Sequence, residues 1–284
     1  MFISRKAVEL AKTYLLSRVK NGLCLEFYQL RHGPSIAWTT ACIGSTLAEF
    51  HVVPEGMLEA LLSLRWDCGG WSYNQNSVPD ADSTLRVLQF LAKVGFTDQT
   101  VIDKAERFVI SHQQGDGGIA TYLPETVATM GYPEGGWTTS HPCVTALAAH
   151  VLRNEQARDK ANRYLANRLK KGDARAYWWR TSWYVRYESS WINGEDIEND
   201  SVEIGLVLLL KARLGITDKV LTIRLMMLQL NDGSFPSSHQ FRIPRPHQFL
   251  DEITEQTEVV EDRTKIFSTA AAAVAISRQE ALLN

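Results

Sequence analysis

The stretch RWDCGGW, residues 65–71, ends a helix-like run on two glycines and a tryptophan, and the chain returns to that frame. QQGDGGI (113–119) and QLNDGSF (229–235) share its order of Gln or Arg, three residues, Gly, one residue and a large apolar side chain. RVKNGLC (18–24) and RLKKGDA (168–174) are weaker copies. Their starts at 18, 65, 113, 168 and 229 lie 47, 48, 55 and 61 positions apart, the period of a repeated supersecondary unit.

The residues before each copy are apolar at i, i+3 and i+4. AVELAKTYLLSRV, MLEALLSLRW, VIDKAERFVISHQ, ANRYLANRLKK and VLTIRLMMLQL therefore read as amphipathic helices. A glycine then stops each one. Between copies lie more apolar segments with small residues: SIAWTTACIGSTLAEF, DSTLRVLQFLAKVG, HPCVTALAAHVLRN, TSWYVRYESSWI, DSVEIGLVLLLKARLG and FSTAAAAVAIS. Most open on Ser, Thr or Asp, which cap free N–H groups, and Pro34 and Pro142 add first-turn signals. Alternating strand patterns are nearly absent.

Two helix types in alternation predict an all-α fold with two concentric rings and the apolar set inside. The expectation is a single α/α toroid of the α6/α6 type over residues 1–284; a superhelical array of helix pairs is the alternative. In either, each unit buries its face only against its neighbours. The polar stretch PSSHQFRIPRPHQF (236–249) reads as a loop over one mouth of the ring.

The chain has 284 residues, 45% hydrophobic and 22% charged, with 30 basic against 32 acidic side chains. That balance is of a soluble globular protein and gives no footprint for nucleic acid. Cys24, Cys42, Cys68 and Cys143 form no CxxC pair, which suggests reduced thiols in a cytoplasmic setting. The charged, amphipathic start is not a signal peptide, and no run reaches the ~20 apolar residues of a membrane span. Peripheral membrane contact stays compatible with this reading.

The chemistry is sought in VPDADSTLRVLQFL, residues 78–91. Asp80 and Asp82 stand at the start of an apolar helix, as a plain N-cap would. A carboxyl pair aimed into a dry cavity would look the same. Eight Trp, nine Tyr and ten Phe supply aromatic walls. Trp38, Trp71, Tyr73, Trp137, Trp178, Trp179, Trp183, Tyr184 and Tyr187 lie at or near inner-helix starts, which the toroid brings to one end beside Asp82. Trp71 reads equally as packing between repeats. His141 reads as a helix-start hydrogen-bonding residue or as a partner to the acid. Arg242, Arg245 and His247 read as loop residues, or as a holder for a diphosphate or carboxylate.

Helix-ending Gln-x-x-x-Gly-x-aromatic repeats between paired helices resemble those of squalene–hopene and oxidosqualene cyclases. The same fold occurs in the β domain of class II diterpene cyclases and in protein prenyltransferase β subunits. The cyclases carry Asp-x-Asp-Asp, usually followed by Thr, and the matching stretch here is DADST, residues 80–84. By that resemblance Asp82 is the proton-donating acid and Asp80 its supporting carboxylate, with Ser83 in place of the last Asp. A supporting Asp-x-Thr-x-His element compares with CVTAL (143–147), where only Thr145 is kept. His141 is a spatial candidate for the missing histidine. Asp67 and Cys68 are adjacent, not at the Asp-x-Cys spacing of the zinc-dependent prenyltransferases.

The resemblance implies a class II-type terpene cyclase or isomerase acting on a hydrophobic isoprenoid. No metal or other cofactor is implied, with Mg2+ expected only for a diphosphate substrate. Complete hopene-type cyclases pair two such domains. A single toroid must therefore close its own cavity, or a homo-oligomer or partner subunit must cover it. Two other readings stay open: a natural-product enzyme with different acid–base chemistry, and a non-catalytic hydrophobic-ligand-binding or partner subunit.

Overall fold

Each copy of the glycine frame turns the chain from an outer helix toward an inner one. In the computed structural model, which describes residues 2–28, 33–192 and 197–283, the outer helices are α1 (Phe2–Ser17), α3 (Met57–Ser63), α5 (Gln99–Ser111), α8 (Glu155–Leu169) and α11 (Lys219–Met226). The inner helices are α2 (Ala37–Glu49), α4 (Ala81–Lys93), α7 (Pro142–Val151), α9 (Trp183–Glu188), α10 (Ser201–Arg213) and α12 (Ile266–Ala281). A short α6 (Pro124–Thr129) lies between α5 and α7.

Inner helices pack in the order α2–α4–α7–α9–α10–α12, and α12 returns to α2. This closure makes a toroid; a superhelical array would leave its ends apart. Outer helix α1 seals the same seam by packing on α12 and α2. Between α9 and α10 the described residues contain no outer helix, so six inner helices face five outer ones.

The frame repeats its hydrogen bonds as well as its residues. The backbone N–H groups of Cys24, Trp71, Ile119 and Phe235 donate to the hydroxyls of Thr40, Thr84, Thr145 and Thr269 on the inner helix that follows. Gln113 Nε2 donates to the carbonyl oxygens of Gly117 (3.0 Å) and Ala157 (2.9 Å), tying its turn to α8. Gln229 Nε2 does the same to Gly233 (3.0 Å) and Ala7 (2.8 Å), tying the last turn to α1. The turn-to-threonine bond thus recurs at four of the five copies, and the last Gln tie closes the ring.

Caps set the helix starts. Asp98, Asn154, Asp200 and Asp218 each accept from backbone N–H groups of α5, α8, α10 and α11. Residues 181–192 were expected to form a full inner helix, but only Trp183–Glu188 does; Ser190, at φ 55°, breaks it. Two small antiparallel pairs lie at one mouth: β1 (Trp71–Ser72) with β2 (Pro79–Asp80), and β3 (Phe241–Arg242) with β4 (Val259–Val260). Buried apolar residues from both helix rings form one continuous core.

Candidate active site

Asp80 ends β2 and caps α4. Its Oδ1 accepts from the Ser83 N–H (2.7 Å) and its Oδ2 from the Ser83 hydroxyl (2.8 Å). Both oxygens are therefore committed to the helix start. Asp82, in the first turn, bonds to no backbone group of α4; its Oδ2 accepts from Trp38 Nε1 at 3.0 Å. Trp38 comes from the first turn of neighbouring α2, so the contact spans two inner helices. The ambiguity in DADST divides between the two residues: Asp80 is the cap, and Asp82 faces inward.

What it faces is a cavity of about 500 Å³ at the mouth where α2 and α4 begin. The lower wall carries Trp38, Trp179, Tyr28 and Phe241, with the Tyr28 and Phe241 rings 4.4 Å apart and Trp179 and Phe241 4.5 Å apart. The upper wall carries Tyr122, Tyr132, Trp137 and Trp178, clustered about Trp137 at 5.4, 5.8 and 5.9 Å. Tyr73, Val78, Met130, Ile243 and Val260 complete the apolar lining. The 236–249 loop does cover this mouth, through Phe241, Arg242 and Ile243. Trp137 fastens it, donating from Nε1 to the Pro244 carbonyl oxygen at 2.9 Å.

Burial pushes the Asp80 carboxyl up to about 7 and the Asp82 carboxyl up to about 6. Hydrogen bonds from Ser83 hold Asp80 down, and Arg86 holds Asp82 down. Bonding geometry distinguishes the two carboxyls. With both its oxygens accepting, Asp80 suits the anion. Asp82 has Oδ1 left to carry a proton toward the cavity.

Behind Trp38 lies a buried charge pair. Arg86 stands 5.4 Å from the Trp38 ring centroid and 5.5 Å from that of Tyr184. It donates to the Tyr184 hydroxyl and to Gln89 Oε1 (2.9 Å), and pairs with Glu188 at 3.7 Å. Phe267 sits beneath Trp38, Trp179 and Phe241 at 5.1–5.6 Å, so an aromatic floor separates these charges from the cavity.

Of the aromatic residues expected at the site, Trp38, Tyr73, Trp137, Trp178 and Trp179 line the cavity. The other four do not, and neither does His141. Trp71 is fully buried between repeats, its Nε1 donating to the Leu61 carbonyl oxygen at 2.6 Å. Trp183 is buried against Arg186 on the body of α9. Tyr184 stacks 4.1 Å beneath Trp179, as support for the floor. Tyr187 lies on the far side of that floor, with Arg213 over its ring at 4.2 Å. The last three lie on α9 itself, whereas Trp178 and Trp179, which reach the mouth, stand in the segment before it.

His141 is no partner to the acid. Its ring stacks on Tyr177 at 3.8 Å, Nδ1 lies 2.6 Å from the Thr121 hydroxyl, and Nε2 lies 2.7 Å from the Gly136 carbonyl oxygen. That carbonyl requires a proton on Nε2, leaving Nδ1 to accept from Thr121. Thr121 in turn accepts from Trp178 Nε1 at 2.7 Å. Burial holds the His141 ring down to about 3, so it stays neutral and fixes Trp178 through Thr121. Thr145 serves the repeated backbone bond to Ile119, and burial pushes the Cys143 thiol up to about 11.

Sequence reading missed Tyr28, Tyr122, Tyr132 and Phe241. The first three stand in connecting segments outside the repeat frame, and Phe241 sat unremarked within the predicted mouth loop. Among the described residues no cluster of three or more His, Cys, Asp or Glu could hold a metal ion. No helix among them is long and apolar enough to cross a membrane.

No protein-family model matches the chain, and no curated protein matches it. Solved structures do. A crystal structure of a protein from Actinoplanes superposes with a TM-score of 0.84 at 21% identity, covering 98% of this chain and 99% of that one. The type II terpene cyclase MstE from Scytonema superposes at 0.82 with 24% identity, covering 99% and 98%. Variants of MstE have been solved with its substrate, geranylgeranyl dihydroxybenzoate, and with its product, merosterolic acid A. The ent-copalyl diphosphate synthase from Streptomyces platensis superposes at 0.57 with 14% identity over 86% of this chain and 50% of its own. The chain has the α/α toroid fold of the type II terpene cyclases.

Proposed function

We propose that the protein is a class II-type terpene cyclase in which Asp82 protonates an alkene of a linear isoprenoid. The observation that carries this reading is the carboxyl of Asp82, which plays no part in capping α4 and among the described residues is bonded only to Trp38, at the edge of an aromatic cavity. Alkenes are weak bases, so the donor must stay protonated in a site that excludes water. Burial supplies that by disfavouring the carboxylate.

The proton leaves Asp82 for the less substituted alkene carbon, and a tertiary cation forms. The electron pair of the next alkene closes a ring, and the positive charge moves along the chain. Loss of a proton from the last cation ends the reaction, so product and substrate are isomers. Trp38, Trp178 and Trp179 offer ring faces to the moving charge, at ~0.5–2 kcal/mol per contact, without offering a nucleophile. Asp80, with both oxygens accepting from Ser83, fixes the helix start that presents the donor. None of these steps draws on a metal ion.

On this reading the β3–β4 segment closes the mouth of the toroid. The buried free thiols Cys24 and Cys143 suit a cytoplasmic enzyme. MstE acts on a prenylated aromatic acid by its printed description, and a linear prenyl chain is the substrate class proposed for this protein.

The test is incubation of the purified protein with linear isoprenoids bearing free, alcohol, carboxylate and diphosphate ends, read by mass spectrometry. The expected outcome is a cyclised product from at least one chain. Asp82→Asn should fold normally and lose turnover by on the order of 10²–10⁴-fold or more. Wild-type turnover in that variant would refute the assignment.

A further inference from the structure

Arg242 is a half-buried cation without a counter-ion among the described residues. It lines the cavity on β3, where its Nε donates to the Tyr177 carbonyl oxygen (3.1 Å) and its Nη2 to that of Ala176. Its neighbours in space are better served. Arg175 pairs with Asp173 (3.0 Å) and Asp251 (2.7 Å), and Arg180 pairs with Glu198 (3.0 Å). No carboxylate among the described residues pairs with Arg242; the groups that act on it are Cys143, Tyr177 and those two arginines.

Two backbone carbonyls explain a clamp on β3, but not a charge. A neutral donor would serve there without the cost of desolvating a guanidinium. The Nη1 group has no partner among the described residues, and a planar guanidinium with a free edge is the usual receptor for a carboxylate. Arg242 is also the sole basic side chain among the described residues that line the cavity, which holds Asp80 and Asp82 as well. A diphosphate would bring several negative charges to one cation beside two acids. A monoanion matches the site.

We propose that the cavity takes a linear isoprenoid with a carboxylate head, which Arg242 anchors while the far alkene lies at Asp82. This rests on the reading of the cavity as an isoprenoid site. Successive strand residues face opposite ways, so Phe241 joins the aromatic floor by Trp38 while Arg242 turns toward Ala176 and Tyr177. Head and floor contacts therefore come from adjacent residues of one lid strand. Binding the head would fasten that strand over the mouth.

The test is calorimetric binding to the full chain of a prenyl carboxylic acid of fifteen to twenty carbons, its methyl ester, and the matching diphosphate with and without Mg2+. Asp82→Asn serves as a second host that does not consume the ligand. The expected result is an acid bound on the order of ten- to hundredfold more tightly than the ester. Arg242→Gln should erase that preference while leaving the ester's affinity unchanged, and Arg242→Lys should retain part of it. The wild-type comparison stands even if a variant folds poorly. Equal binding of acid and ester, a preference that survives in Arg242→Gln, or tighter binding of the diphosphate would overturn the proposal. If acid and ester bind alike and are still cyclised through Asp82, only the head-group inference fails. If no prenyl chain binds, the isoprenoid reading fails with it.

Discussion

Asp80 and Asp82 are two residues apart and do different work, because one points along the helix axis and the other into the ring. Their raised carboxyl values tie this division to stability. A carboxyl that titrates near 4 in the unfolded chain and near 6 or 7 in the fold binds a proton more tightly when folded. That contribution is complete below about pH 4 and is lost as pH rises through the folded values. Asn at position 82 cannot ionise, so the melting temperature of Asp82→Asn relative to wild type should climb between about pH 4 and 7. A flat difference over that window would show that Asp82 titrates as an exposed carboxyl and is unfit as the acid. At this scale the sequence was legible where placement depends on spacing, as in DADST, whose second Asp lines the cavity. It was not legible at Trp71, Trp183, Tyr184 and Tyr187, because an aromatic at a helix start faces the cavity or the core according to the phase and length of its helix. His141 shows the same limit: its neighbours Thr121, Gly136 and Tyr177 come from three separate segments.

The glycine turn is the element that makes the repeat. At Gly117 the backbone takes φ +93°, and a Cβ there would meet the Lys160 carbonyl oxygen of α8 at 2.6 Å. Gly233 stands likewise, at φ +85°, with the Leu10 carbonyl oxygen of α1 at 2.5 Å. Both the conformation and the close approach exclude a side chain. At Gly172, φ is +77° but nothing lies within 4 Å. Ala at Gly172 should cost about 1–2 kcal/mol, the backbone penalty alone. Ala at Gly117 should cost about 1–3 kcal/mol more, since α8 must move. Urea unfolding midpoints of the two variants test this, and equal losses would mean that the contact with α8 carries no weight. The frame was readable in sequence because the same backbone bond, from turn to inner-helix threonine, recurs at each clear copy. The α9 segment was not. Its pattern looks helical from 181 to 192, and nothing local announces that Ser190 takes a left-handed conformation.

At the scale of the molecule, ring closure gathers the inner-helix starts at one mouth. Trp38 of α2 can reach Asp82 of α4 because α12 returns to α2 and fixes the ring's diameter. The aromatic floor then divides the interior. Above it lies the cavity with Asp82, and below it lie Arg86, Glu188, Glu49, Lys93 and Arg278 around a space of about 90 Å³. A positive charge moving above the floor thus meets ring faces before it meets ions. Closure was foreseeable from six apolar segments in series, whereas the mouth was legible only in outline, since Tyr28, Tyr122 and Tyr132 reach it from connections of irregular length. The central claim is that Asp82 hands a solvent-exchangeable proton to carbon. It is tested most directly by running the isoprenoid incubations in D2O and weighing the product. A cyclic isomer one mass unit heavier from the wild type, absent with Asp82→Asn, is the predicted result. A cyclic product without deuterium, or one formed as fast by Asp82→Asn, would contradict the account.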